Sequence, residues 1–306
     1  MSVAIITHSE CIQHGAGITH PENGLRLSSI HEALVTHNLS QELQYYEAPK
    51  ASRKQLGKVH SLEYVDSIFN IAPDEGVVWL DPDTFMTPAS LNAALRAAGA
   101  NILAIDLLMQ NKATQVFCSV RPPGHHAEHN QAMGFCLFNN IVTGAAHARQ
   151  KYGISRIAII DFDVHHGNGT EDIIQDNQDI LFCSLFQHPY YPHKGCDTRS
   201  DHIINIPIAV GTEGKEYREL FTMNFVPAIK AFEPELILVS AGFDAHSEDE
   251  LAGICLTDAD YTWLACEIKK LAQEYCEGKI VFTLEGGYSL PALSRSVVAV
   301  IRELIN

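Results

Sequence analysis

Positive charge is scarce in this 306-residue chain: 21 Lys and Arg stand against 37 Asp and Glu, giving a formal net charge of −16. The cations are scattered, with no cluster longer than Lys269-Lys270. Nucleic-acid binders neutralise phosphate with basic stripes, so nucleic acid is not an expected partner. No stretch reaches the roughly 18–20 consecutive apolar residues of a membrane span, so no membrane is expected either. The eight cysteines form no C-x-x-C pair, and several lie in apolar runs such as Val116-Phe117-Cys118. Thiols so placed pack as small hydrophobes, which points to a reduced, cytoplasmic protein and away from a Cys-rich zinc site. Met1-Ser2-Val3 runs into an apolar segment with no basic signal-like start, in keeping with that expectation. Linker-like composition shifts, repeats and low-complexity tracts are also missing, so residues 1–306 are expected to form one domain.

What is present is an alternation. Val3–Ile6, Gln115–Val120, Arg156–Val164, Asp179–Leu185, Leu236–Phe243 and Lys279–Leu284 are short runs rich in Val, Ile and Phe. Between them lie helical patterns over 88–111, 139–152, 168–177, 214–231, 257–277 and 291–305, with start signals at Asn139, Thr257 and Ser289-Leu290-Pro291. Strands apolar on both faces belong in a sheet covered on both sides, so the expected fold class is α/β: three layers around a mostly parallel central sheet. Residues 8–26 and 186–201 read as long loops, which in a compact domain often carry function.

In such sheets ligands bind beyond the carboxyl ends of the strands, and the unusual residues fall there. The run ends are Arg121-Pro122-Pro123-Gly124-His125-His126, Asp161-Phe162-Asp163-Val164-His165, Ser240-Ala241-Gly242-Phe243-Asp244 and Glu285-Gly286-Gly287-Tyr288. In an extended segment Asp161, Asp163 and His165 share one side. A catalytic metal takes about three protein ligands and keeps one position open. Asp163 and His165 supply two, and Asp244 is the natural third. Such N/O ligands suit Zn²⁺, Fe²⁺ or Mn²⁺. An imidazole paired with a buried aspartate such as Asp161 favours its charged form. One paired with an amide such as Asn168 serves better as a base and then an acid, a role that fits His126. Tyr288, following two glycines, can donate to a developing oxyanion. Phe135 and Tyr191 are aromatics on the same rim.

Together these motifs resemble the zinc-dependent histone deacetylase family, in its class II-like, bacterial-type branch, with the arginase/deacetylase fold. The likeness extends from His20-Pro21-Glu22-Asn23 and Arg26 to the Tyr288 loop, and includes Ala127-Glu128 and Gly134-Phe135. It implies an amidohydrolase that removes acetyl or short acyl groups from lysine side chains. By the same resemblance Asp163, His165 and Asp244 hold zinc, with iron as a substitute. His125 and His126 are the tandem histidines, backed by Asp161 and Asn168, and Tyr288 polarises the amide carbonyl. Asp83 corresponds to a rim aspartate that holds the substrate backbone, Gly134-Phe135 and Tyr191 to the tunnel walls, and Arg26 to an internal-channel arginine. A structural potassium would use Asp161, Ser184 and Leu185. Leu251 stands where polyamine-selecting members carry a glutamate. The implied partner is an acetylated lysine of a protein or peptide, or a small acylated amine, with homo-oligomerisation left open. An acylpolyamine deacetylase, a binuclear manganese ureohydrolase and an idle acyl-lysine binding module stand as rival readings.

Overall fold

The computed structural model describes residues 2–306. Its elements are β1 (Val3–Thr7), α1 (Ser9–Gln13), α2 (Leu25–Thr36), β2 (Leu43–Glu47), α3 (Arg53–Leu56), α4 (Leu62–Ile71), β3 (Val78–Trp79), β4 (Phe85–Met86), α5 (Ser90–Met109), β5 (Gln115–Cys118) and α6 (Asn140–Tyr152). They continue with β6 (Ile157–Asp161), α7 (Asn168–Ile174), β7 (Ile180–Gln187), β8 (Ile203–Ile208), α8 (Gly214–Phe232), β9 (Leu236–Ala241), α9 (Asp258–Tyr275), β10 (Ile280–Leu284) and α10 (Leu290–Ile305).

Eight strands form one sheet in the order β2-β1-β5-β10-β9-β6-β7-β8, and every neighbouring pair is parallel. The four strands whose ends carry the unusual residues (β5, β10, β9, β6) are consecutive at its centre. Residues separated by more than a hundred positions therefore meet without any long excursion of the chain. The inner strands are buried along their whole length, as covering on both faces requires. Helices α1, α5 and α6 pack together, and α2, α10, α9 and α8 form a second row, so the sheet is the middle of three layers. The helix starts follow from local chemistry: the Asn139 side chain accepts from Val142 N–H, Thr257 and Asp260 form a capping box, and Pro291 sits in the first turn of α10. By length and composition α5 could cross a membrane, with 20 residues and a mean hydropathy of 1.3, yet 72% of that window is buried in the fold.

Several expectations need correction. The runs expected to end at Val120, Val164 and Phe243 leave the sheet at Cys118, Asp161 and Ala241. Asp163 and His165 thus lie beyond the strand, and strand alternation does not bring them together. Instead Phe162 and Val164 turn into the core, and Asp163 Oδ1 accepts the His165 N–H at 2.9 Å, closing a tight turn. Both edge strands, β2 and β8, escape the apolar-run criterion. β2 is buried at only one of its five residues, and β8 includes Pro207, a residue tolerated at sheet edges. The stretch 8–26 contains helix α1, and β7 runs on into 186–201 as far as Gln187.

Candidate active site

The loop after β5 carries the tandem histidines. It is clamped by Glu285 from β10's end, whose Oε2 accepts N–H groups from Gly124 (2.7 Å) and His125 (3.2 Å). His125 Nδ1 lies 3.0 Å from Asp161 Oδ2, and His126 Nδ1 lies 2.7 Å from Asn168 Oδ1. The two rings stand 4.0 Å apart, both buried. Burial disfavours an imidazolium, but the charges of Asp163 and Asp161 outweigh it and push His125 up to about 10. His126 is also buried, and the neighbouring His125 and His165 charges add to that effect, so it is held well below the ordinary imidazole value. Adjacent residues thus carry opposite protonation preferences.

Beside them Asp163, His165 and Asp244 each bring one ligand atom to within 4.8 Å of the others. Asp163 Oδ2 accepts from Gly286 N–H at 2.8 Å and Asp244 Oδ1 from Val164 N–H at 3.0 Å, while Asp244 Oδ2 is fully buried with no hydrogen-bond partner. Burial and the Asp163 charge raise the Asp244 carboxyl to about 6. Burial alone would lower His165, yet its hydrogen bond to Asp163 and the Asp244 carboxylate 3.2 Å from Nδ1 push it up to about 10. Two buried carboxylates closing on one imidazole, with an orphaned oxygen among them, have the donor set and charge deficit that fit a divalent cation. A second buried orphan is Ser184 Oγ. Pairing of β6 with β7 sets Ser184 directly opposite Asp161, with Leu185 next along, which fits a monovalent cation held by oxygens.

A cavity of about 180 Å³ leads to His126 and His165, and its walls include Asp83, Gly134, Phe135, Tyr190, Tyr191 and Leu251. Gly134 and Phe135 take φ of +57° and +68°. A Cβ on Gly134 would run into the His126 ring, so glycine is required there both for its backbone and for the close approach. The strained Phe135 is held by Thr84 Oγ1, which accepts its N–H at 2.9 Å, and Asp83 Oδ1 accepts from Gly134 at 3.1 Å. Asp83 therefore fastens the wall as well as lining the cavity. Tyr191 stands edge-on to His126 at 5.2 Å, and Tyr190 stacks on His165 at 5.5 Å. Tyr288 is not part of this lining. Its ring meets Phe135 edge-on at 6.0 Å and lies 5.1 Å from the Arg26 guanidinium. Burial and the Asp244 charge hold its hydroxyl well above the ordinary phenol value, so it stays a donor. Arg26 is fully buried beneath this loop, donating to the carbonyls of Gly287 (2.6 Å) and Glu285.

Comparison with known proteins gives this arrangement its relatives. Residues 20–304 match the histone deacetylase domain. The chain belongs to the histone deacetylase family. It is 38% identical to histone deacetylase 14, chloroplastic, of Arabidopsis thaliana, across 94% of this chain and 73% of that protein. It is 34% identical to the histone deacetylase-like amidohydrolase of Pseudomonas aeruginosa, across 93% and 76% respectively. Among solved structures, the HDA15 HD domain superposes with a TM-score of 0.92 at 32% identity, covering 99% of this chain and 88% of that one.

Sequence reasoning missed several parts of this deacetylase domain. Tyr190 is a cavity wall as much as Tyr191, and the doubled aromatic before Pro192 was the only signal. Glu285 stood in the motif without a job. Asp249, in the acidic run after Asp244, accepts backbone N–H groups of Tyr288 (2.6 Å) and Ser289 (3.0 Å), so it secures the tyrosine loop.

Proposed function

We propose that the chain is a zinc-dependent amidohydrolase that removes acetyl or other short acyl groups from lysine side-chain amides. The observation that carries this reading is the pair of adjacent imidazoles with opposite partners, set beside three convergent metal-ligand atoms at the end of a narrow cavity. Asp163, His165 and Asp244 would hold zinc, or iron in its place, and the ion would supply Lewis acidity toward the amide carbonyl and water. Asp161, Ser184 and Leu185 would hold potassium. The apolar walls take the aliphatic stem of the lysine, and Leu251 keeps that passage uncharged where a polyamine would need an acid.

His126, neutral and with Nδ1 committed to Asn168, accepts a proton from water at Nε2 as oxygen attacks the amide carbon. Tyr288 donates its hydroxyl hydrogen to the carbonyl oxygen as negative charge develops there. His125 remains cationic against Asp161 and stabilises that charge without giving up its proton. His126 then returns its proton to the departing amine nitrogen, the C–N bond breaks, and a carboxylic acid and a free amine leave. His246 stands two residues beyond Asp244, where a binuclear site would want a carboxylate, and its Nε2 instead pairs with Asp258 at 3.2 Å. The eight free cysteines support a reducing compartment, which we take to be the cytoplasm.

The test is turnover of acetyl-lysine peptides and acetylated polyamines by zinc-loaded protein, with and without chelator. Chelator-sensitive release of acetate from the peptides supports the reading, and preference for the polyamines overturns the substrate class. His126→Ala with zinc still bound and near-normal turnover would overturn the assigned base.

A further inference from the structure

Beyond His126 and Asn168 the hydrogen bonds continue outward. Asn168 is 2% exposed and uses both ends of its amide: Oδ1 faces His126 Nδ1 at 2.7 Å, and Nδ2 donates to Glu128 Oε1 at 2.6 Å. The same Glu128 oxygen accepts from Lys194 Nζ at 2.5 Å. Glu128 is itself held in place, with its N–H donating to the Gln131 carbonyl and its own carbonyl 2.9 Å from His60 Nδ1. Lys194 lies three residues beyond Tyr191, in the segment that forms one cavity wall.

An asparagine side chain has one donating end and one accepting end, and an ammonium can only donate. Because Lys194 donates to Glu128 Oε1, that oxygen is an acceptor, and the Asn168 amide must turn its NH₂ toward it. The carbonyl end is then left for His126. An imidazole nitrogen facing a carbonyl oxygen must carry hydrogen, so Nδ1 of His126 is protonated and the lone pair sits on Nε2. We propose that Glu128 is a positioning residue that fixes the Asn168 amide and, through it, the tautomer of His126 that can act as a base. This rests on the reading of His126 as the base. The chain from Lys194 through Glu128 and Asn168 also ties the cavity wall to that base.

The experiment combines a spectroscopic and a kinetic readout on the zinc-loaded full chain. Histidine ¹⁵N NMR of the unsubstituted protein should show His126 with hydrogen on Nδ1, and hydrogen on Nε2 overturns the proposal whatever the activity. Glu128→Gln combined with Lys194→Met keeps the shape, removes the ammonium that would hold the new amide oxygen in place, and lets the Gln NH₂ donate to Asn168 Oδ1, so the Asn168 amide can turn over. The expected result is loss of the Nδ1–H signature and a fall in kcat of about a hundredfold, with KM little changed. Lys194→Met alone leaves an acceptor-only carboxylate at position 128 and should keep the Nδ1–H signature. An unchanged tautomer and kcat in the double variant overturns the proposal, as does an equal loss of the signature in Lys194→Met alone. If the unsubstituted protein hydrolyses no acyl-lysine amide, the functional reading falls while the tautomer measurement still decides this inference.

Discussion

Burial, and after it the Asp244 charge, oppose ionisation of the Tyr288 hydroxyl despite the nearby Arg26, so its contribution is a hydrogen bond to the carbonyl oxygen. Tyr288→Phe should therefore lower kcat by about 10²–10³-fold, as loss of an oxyanion donor does, with zinc content unchanged by elemental analysis. The ligand cluster makes a different prediction. Without a cation His165 is pushed up to about 10, so at pH 7 it carries a proton that a metal must displace. Zinc titrated into metal-free protein at pH 7 should release about one proton from this residue, seen as a buffer-dependent heat in calorimetry. The grouping of Asp163, His165 and Asp244 beside the tandem histidines was legible because four different apolar runs end in such residues, so four coincidences supported one another. Glu285, Asp249 and Glu128 were not legible: each acts by accepting N–H groups from residues made neighbours only by the fold. A carboxylate's sequence context does not say which N–H groups it will meet.

Among the elements, the central strands and long helices were readable because their apolar patterns are continuous or periodic. Edge strand β2 was not, since a half-solvated strand next to a single partner has no need of such a run, and the isoleucines of β8 are interrupted by Asn205 and Pro207. The segment 8–26 is held by charge as well as by the packing of α1 on α5. Glu22 is buried at 1% exposure and accepts from both Arg121 and Arg26, fastening the segment to the end of β5 and to α2. Burial would raise this carboxyl, but the two guanidinium groups outweigh it and push it down to about 2 from an ordinary 4.5. A depressed carboxyl stabilises the folded state fully above its unfolded value, and that contribution is lost as pH falls through the folded value. The difference corresponds to roughly 3 kcal/mol. Glu22→Gln should be destabilised by about 3–5 kcal/mol at pH 7, since it leaves buried guanidinium charge unpaired. In the variant the loss of stability between pH 4.5 and about 2 should be smaller than in the unsubstituted protein. Urea unfolding at several pH values reads both effects.

At the scale of the whole molecule, the net charge of −16 acts on what approaches the cavity. Part of the acidity near the mouth is neutralised at home: Glu248 pairs with Arg295 at 2.6 Å, and Asp249 is buried against the Tyr288 loop. Exposed Glu250 and half-buried Asp83 remain, and burial together with neighbouring Asp81 raises the Asp83 carboxyl. A peptide whose acetyl-lysine is flanked by unmodified lysines or arginines should be drawn toward this field, while one with neutral flanks should not. The attraction reaches about 10 Å at 0.1 M salt and about 3 Å at 1 M. Raising salt across that range should thus lower kcat/KM for the basic peptide through its association rate, leave kcat unchanged, and leave the neutral peptide nearly indifferent. Glu250→Gln should reduce the slope of log kcat/KM against ionic strength for the basic peptide. Equal salt dependence for the two peptides would mean that the excess acid serves solubility alone and has no part in substrate choice.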